Sequence, residues 1–163
     1  MDKWLEIALI ISCICLIVWF IREQIEENLL QEDPKLLELR NLFDTVFYKG
    51  RKYSGNLETL NNMDIMDEIG LYKGDKSYSI NKEKVFLCLK DNEGSYYSNN
   101  TLVYVLAHEI SHCINKENIG HTQEFHDIFE EVLDLLTKEG IYFPSIPVPQ
   151  DYCIKPGEKI PEE

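Results

Sequence analysis

His108, Glu109 and His112 form the pattern in this chain that most directly predicts chemistry. Two histidines at positions i and i+4 of a helix lie on the same face, one turn apart, so both imidazoles can bind one zinc ion. Glu109 lies between them and can accept a proton from a water molecule whose pKa zinc lowers towards about 7. The pattern predicts hydrolysis of a peptide bond, with Zn²⁺ as the cofactor and Glu109 as the general base.

A catalytic zinc site needs a third protein ligand and an open fourth position. The chain has 4 histidines, and His121 follows a turn that lets the chain double back towards the first pair. We therefore predict that His108, His112 and His121 bind the metal. His126 lies about 140° around the next helix from His121, so the two side chains cannot easily share one ion. We interpret His126 as an ordinary surface or packing residue.

Four residues are alternatives for the remaining ligand positions. Glu130 or Glu131 of the following helix could supply an acidic third ligand. A purely structural zinc site would use four protein ligands, and Cys113 or Cys153 could supply the fourth. A structural site would leave Glu109 without a purpose, so the catalytic interpretation is preferred.

The segment HEISHCINKENIGHTQEF resembles the WLM and SprT-like zinc metallopeptidases, the group related to Spartan. In that group, a turn and a third histidine follow the HExxH helix. A glycine often precedes this histidine and an aromatic residue follows four positions later, as Gly120, His121 and Phe125 do here. The resemblance covers residues 85–153. It implies a minimal zincin-like metallopeptidase fold, zinc on the three histidines, and Glu109 as the catalytic base.

Composition limits which functions of that group can apply. The chain has 16 Lys plus Arg against 29 Asp plus Glu, a net charge of -13. Phosphate is repelled by so acidic a surface, and the basic DNA-binding regions of the DNA-repair members are missing. We therefore expect a protein or peptide substrate and no direct binding of nucleic acid. The C-terminal segment GIYFPSIPVPQDYC is similar to predicted peptidases of large DNA viruses.

The histidine pair lies in a predicted helix that Asn99 or Asn100 caps at its N-terminus. This helix should be buried, because it is mostly apolar, with Leu102, Val105, Leu106, Ile110 and Ile114. Another helix is predicted to begin near Thr122 and to end at Gly140, and it carries a continuous apolar face.

A small sheet is predicted before these helices. Residues 85–89 are β-prone and follow a turn at Asn81 and Lys82. An amphipathic helix begins at Pro34, and a weaker helical stretch covers residues 57–69. The predicted fold class is therefore α+β, mostly helical, with two or three strands before the zinc helix.

Two further features could contact a substrate. Strand 85–89 could be an edge strand that pairs with an extended substrate backbone, or a plain core strand. Tyr142 and Tyr152 are candidate donors to the oxyanion that forms during hydrolysis.

The N-terminus carries a candidate membrane anchor. Residues 7–21 read IALIISCICLIVWFI and contain no charge. With residues 4–6 the segment rises roughly 27 Å, close to the hydrocarbon thickness of a bilayer. Trp4 and Trp19 lie near its two ends, where indole rings prefer the interface. We predict an uncleaved anchor over residues 4–21; a cleaved signal peptide and a buried core helix are the alternatives.

The flanking charges and the cysteines favour a cytosolic C-terminal domain. Arg22, Lys35 and Arg40 follow the anchor within about 20 residues, and positive charge stays on the cytosolic side. An odd number of cysteines lies beyond the anchor and suggests a reducing compartment: Cys88, Cys113 and Cys153.

The sequence thus predicts a single-pass, membrane-anchored zinc metalloendopeptidase. The alternative is a non-catalytic, membrane-anchored module that binds zinc or another protein. The predicted division of the chain is a transmembrane anchor with a short flank, an acidic helical stalk, a metallopeptidase-like domain and a Pro-rich acidic tail: residues 1–22, 23–34, 35–153 and 154–163.

Overall fold

The computed structural model describes residues 3–31, 33–116 and 120–154. The predicted α+β class is confirmed, with helices dominating a small sheet. Nearly all of the predicted C-terminal tail, from residue 155 onwards, lies outside the described residues, as do residues 117–119 of the predicted turn. The elements are α1 (Lys3–Gln31), α2 (Pro34–Asp44), a 3₁₀ helix (Gly55–Asn62), α3 (Ile65–Glu68), β1 (Gly70–Lys73), β2 (Tyr78–Ile80), β3 (Lys84–Leu87), α4 (Asn99–Ile114) and α5 (Gln123–Lys138).

The three strands form one sheet in the order β1-β3-β2. β3 pairs in parallel with β1 and antiparallel with β2. The strand predicted at residues 85–89 is therefore β3, the central strand. Both of its edges are already hydrogen-bonded, so the hypothesis that it pairs with a substrate as an edge strand is wrong.

A tight hairpin joins β2 to β3. The backbone N–H of Glu83 donates to the carbonyl of Ile80 at 3.1 Å. Asn81 and Lys82 occupy the two central positions with φ of 52° and 59°. Two positive φ values are the signature of a type I′ turn, whose twist matches that of the flanking strands. The turn predicted at Asn81 and Lys82 is confirmed.

Helix α4 is almost entirely buried and crosses the domain next to the sheet. Its N-cap is Ser98, whose hydroxyl accepts a hydrogen bond from the backbone N–H of Thr101, so the prediction of Asn99 or Asn100 was wrong. The Asn100 side chain instead bonds the segment after α5. It donates to the carbonyls of Phe143 and Ile146 and accepts from the N–H of Phe143.

Helix α5 starts as predicted, because the Thr122 hydroxyl accepts from the backbone N–H of Phe125 at its first turn. The predicted weak helical stretch at residues 57–69 is divided into the 3₁₀ helix and the single turn α3. Arg40 of α2 fixes the end of α3 by donating from its guanidinium to the carbonyls of Met66 and Ile69, both at 2.7 Å. Helices α2 to α5, the 3₁₀ helix and the sheet share one hydrophobic core.

Helix α1 is long and apolar enough to cross a membrane. Its segment Ile7–Ile25 has 19 residues, a mean hydropathy of 2.0 and no buried residue in this structure. The helix continues without a break to Gln31, and Pro34 begins α2 shortly afterwards. Length and composition alone do not separate an anchor from a signal sequence.

Cys88 and Cys153 form a disulfide whose Cα atoms are 6.1 Å apart. The odd number of cysteines beyond α1 suggested a reducing compartment, but two of these three cysteines are paired, while Cys113 is a buried free thiol. The pairing arises because the chain after α5 returns to the sheet. There the Tyr152 hydroxyl donates to the carbonyl of Cys88 at 2.6 Å.

Candidate metal centre and cleft

The three predicted histidines converge on one point. His108 and His112 project from successive turns of α4, and their Nε2 atoms are 3.3 Å apart. His121, just before α5, brings its Nε2 to 3.1 Å from that of His108. Two nitrogens on one tetrahedral zinc, each about 2.0–2.1 Å from the ion, lie about 3.3 Å apart. Two of the three donor separations therefore match those of a zinc site, and all three donor atoms lie within 4.8 Å of one another.

Phe125 packs against all three imidazoles and fixes their positions. Its ring lies 4.2 Å from that of His112 in a stacked arrangement, and 5.0 Å from those of His108 and His121. Phe125 is fully buried in the first turn of α5. The folding of α5 onto α4 thus positions the triad.

Burial keeps two of these histidines neutral. It is the largest cause that lowers the pKa of His108 and His112 to about 4, and neighbouring imidazoles add to the effect. Lys82 further lowers the pKa of His112. A neutral imidazole has the free lone pair that a metal ligand needs, so both histidines can bind a metal at neutral pH.

Glu109 lies in the same cleft and is only 6% exposed. Burial raises the pKa of its carboxyl group to about 7, while a hydrogen bond from the Ser79 side chain opposes the rise. A carboxyl group with a pKa near neutrality can both accept and return a proton. Glu109 therefore has the properties of a general base and acid.

The cleft has a volume of about 570 Å³ and opens to solvent at His121. Helix α4 and the triad form one wall. The other wall is β2 and its turn, with Ser77, Tyr78, Ser79, Asn81 and Lys82. The sequence predicts a turn at Asn81 and Lys82 but does not indicate that these five residues face the histidines, because only the folding of the hairpin against α4 brings them there.

The alternative third ligands do not join the triad in the described part of the chain. The carboxylate of Glu131 accepts hydrogen bonds from the backbone and side chain of Asn56. Glu130 and His126 are exposed on α5, and the ring of His126 lies 6.3 Å from that of His121. Of these candidates, only His121 completes the cluster.

The candidate fourth ligands and oxyanion donors are also engaged elsewhere. Cys153 is in the disulfide, and burial raises the pKa of Cys113 to about 12, which keeps it a thiol. Tyr142 is buried beside Tyr104, away from the cleft. The Tyr152 hydroxyl bonds the carbonyl of Cys88 and the Ser77 hydroxyl. Neither tyrosine lines the cleft.

The sequence of this chain, with its histidine triad C-terminal to an apolar helix, is similar to those of two viral proteins. The chain is 39% identical over 145 residues to uncharacterized protein 136R of Invertebrate iridescent virus 6, covering 82% of this chain and 81% of that protein. It is 34% identical over 119 residues to uncharacterized protein 042R of Invertebrate iridescent virus 3, covering 71% and 74%. The chain belongs to the family of these iridescent-virus proteins. No family model and no solved structure matches it.

Proposed function

We propose that this protein is a zinc-dependent peptidase held at a membrane by α1. The observation that carries the proposal is the convergence of three imidazole nitrogens beside a buried carboxyl group in one open cleft. Three protein ligands leave a fourth position for water or substrate, as catalytic zinc sites require.

The chain's own residues would divide the reaction between them. His108, His112 and His121 would hold the ion, which when bound supplies a Lewis acid for a substrate carbonyl and for water. Glu109 accepts a proton and later returns it to the leaving amine. Ser79 donates a hydrogen bond to the Glu109 carboxylate and so orients it. The open cleft leaves room for an extended peptide beside β2.

The non-catalytic alternative has less support. A structural zinc site favours four protein ligands, and the two cysteines considered for that role are a disulfide partner and a buried thiol outside the cluster. A structural site also gives no reason to bury Glu109, a carboxyl group whose burial is costly.

The membrane part of the proposal rests on the 19-residue apolar segment of α1, none of which is buried in the structure. Exposed apolar surface of this size is unfavourable in water, whereas a bilayer would cover it. Such an anchor would restrict cleavage to substrates at one membrane surface.

The proposal is tested by measuring the metal content and the peptide cleavage of the full-length protein in detergent. We expect about one zinc per chain, lost in His121→Ala and retained in His126→Ala, the matched control on α5. Glu109→Gln should retain zinc and lose at least 100-fold in the cleavage rate of quenched fluorescent peptides. Equal cleavage by Glu109→Gln and the parent would rule out the catalytic role, and absence of zinc from the parent would rule out the site.

A further inference from the structure

The backbone at Lys82 does not favour a lysine. Asn81 and Lys82 are the central residues of the type I′ turn, and both have positive φ. This turn prefers Asn followed by Gly, because a side chain at the second position is strained in the left-handed region. Asn81 matches the preference and Lys82 does not. The turn alone therefore does not explain a lysine at this position.

The turn places the Lys82 side chain beside the metal-binding end of the cleft. Lys82 lines the cleft together with His108 and His112. Its ammonium donates a hydrogen bond to the backbone carbonyl of Asn115, the C-cap of α4, three residues beyond His112. This bond holds the positive charge near the His112 side of the triad.

The charge of Lys82 contrasts with the rest of the molecule. The chain has a net charge of -13, so its surface repels anionic peptides at long range. Among the described residues that line the cleft, Lys82 carries the only permanent positive charge, since the other lining residues are Ser77, Tyr78, Ser79, Asn81, His108, Glu109, His112, Gly120 and His121. An anionic group in the cleft would find its favourable contact there.

We propose that Lys82 selects substrates that carry a carboxylate beside the scissile bond, on the His112 side of the triad. The inference rests on the proposed peptidase function and adds the class of substrate. The carboxylate could belong to an acidic side chain or to the C-terminus of a short peptide, and both present the same group to an ammonium ion.

Dipeptides with an N-terminal acyl group that ends in a hydroxamate test this selection without any cleavage, because the hydroxamate binds zinc and fixes the register of the residues that follow it. Three fluorescent probes are compared. The first carries a Gln side chain and the second a Glu side chain, and both have an amidated C-terminus. The third carries the Gln side chain and a free C-terminal carboxylate. Binding is measured by anisotropy to zinc-loaded, full-length protein carrying Glu109→Gln. We expect this Glu109→Gln protein, with Lys82 intact, to bind one carboxylate probe about fivefold to tenfold more tightly than the neutral probe. The probe that binds more tightly identifies the source of the carboxylate.

Substitutions at Lys82 then show whether this residue causes the preference for the carboxylate probe. Lys82→Gly and Lys82→Gln should abolish it and leave the neutral probe within twofold, while Lys82→Arg retains it. Lys116→Gln is the matched control, because Lys116 lines the adjoining depression and not the cleft. In Lys82→Gly, relief of the left-handed backbone opposes the loss of the hydrogen bond to Asn115, and unchanged binding of the neutral probe shows that each variant is folded.

Two failures are distinguishable. If the parent binds no hydroxamate, including the neutral one, the metal site and the proposed function fail together. If the neutral probe binds and neither carboxylate probe binds more tightly, or if Lys82→Gln keeps the preference, the selection by Lys82 is wrong while the metal site stands.

Discussion

At the scale of single residues, burial shifts the pKa values of three ionisable groups in the site so that their neutral forms are favoured. Burial lowers the pKa of His108 and His112 to about 4 and raises that of Glu109 to about 7. Without metal, each group makes the folded state less favourable over part of the pH range. Metal binding would offset this cost by favouring the neutral imidazoles.

Glu109→Gln should stabilise the metal-free protein at neutral and alkaline pH. The pKa of Glu109 is about 7 in the folded state, against an ordinary value of 4.5. The folded form therefore binds this proton more tightly, and its stabilisation is complete below pH 4.5 and lost as pH rises through about 7. Glu109→Gln has no titrating carboxyl group at this position and therefore does not lose this stability as pH rises. Its unfolding free energy should match the parent's near pH 4.5 and exceed it by about 3 kcal/mol at pH 8.

Urea unfolding in a metal chelator, repeated across pH, measures this difference. The buried histidines act in the opposite direction, because their lowered pKa values remove stability as pH falls from 6.5 towards 4. Comparison of the two proteins cancels that shared contribution. Glu130→Gln removes an exposed carboxylate from α5 and is the control. A constant difference between Glu109→Gln and the parent from pH 4.5 to 8 would contradict the prediction.

The sequence predicted part of the site, because helical spacing alone brings His108 and His112 to one face. The turn before α5 indicated His121, and the structure places it beside them. Ser79 and Lys82 could not be predicted, since they face α4 only after β2 pairs with β3. Contacts between distant segments leave no periodic pattern in a single sequence.

At the scale of elements, local periodicity predicted the long helices, whereas pairing between distant strands could not be predicted. α4 and α5 follow from long apolar periodicity, which is a strong signal. β1 has only four residues and pairs in parallel with β3, although β2 intervenes in the chain. Short strands with non-local pairing are weakly encoded, so the position of β3 at the centre of the sheet could not be predicted.

The misassigned cap leads to a prediction about Asn100. Its side chain makes three hydrogen bonds to the segment that follows α5 and is only 6% exposed. Asn100→Ala removes these bonds and leaves their partners unsatisfied, so we expect a loss of about 2–3 kcal/mol in unfolding free energy. Asn99→Ala is the neighbouring control, because Asn99 is exposed and bonds the exposed Glu38. Chemical denaturation measures both; equal losses would show that Asn100 has no special role.

At the scale of the whole molecule, the disulfide bears on where the domain resides. The expectation of a cytosolic domain rested partly on the odd number of cysteines beyond α1, and the Cys88–Cys153 pair removes that support. Stable disulfides form in oxidising compartments. The positive charges that follow α1 favour the cytosol by themselves, so the two signals disagree. A covalent bond between segments 65 residues apart is the more specific of the two, and we expect the domain to face an oxidising compartment.

Reduction of this disulfide should destabilise the domain measurably. Closing a loop of this length restricts the unfolded chain and contributes up to about 4 kcal/mol, so a reductant should lower the melting temperature of the parent. The variant with Cys88→Ser and Cys153→Ser should melt at that lower temperature, with or without the reductant. This variant controls for effects of the reductant on other thiols. Mass spectrometry of membranes lysed in a thiol-blocking reagent then tests the compartment. A peptide linked through both cysteines supports the oxidising side, whereas two alkylated cysteines would place the domain in the cytosol and leave the disulfide as a product of purification.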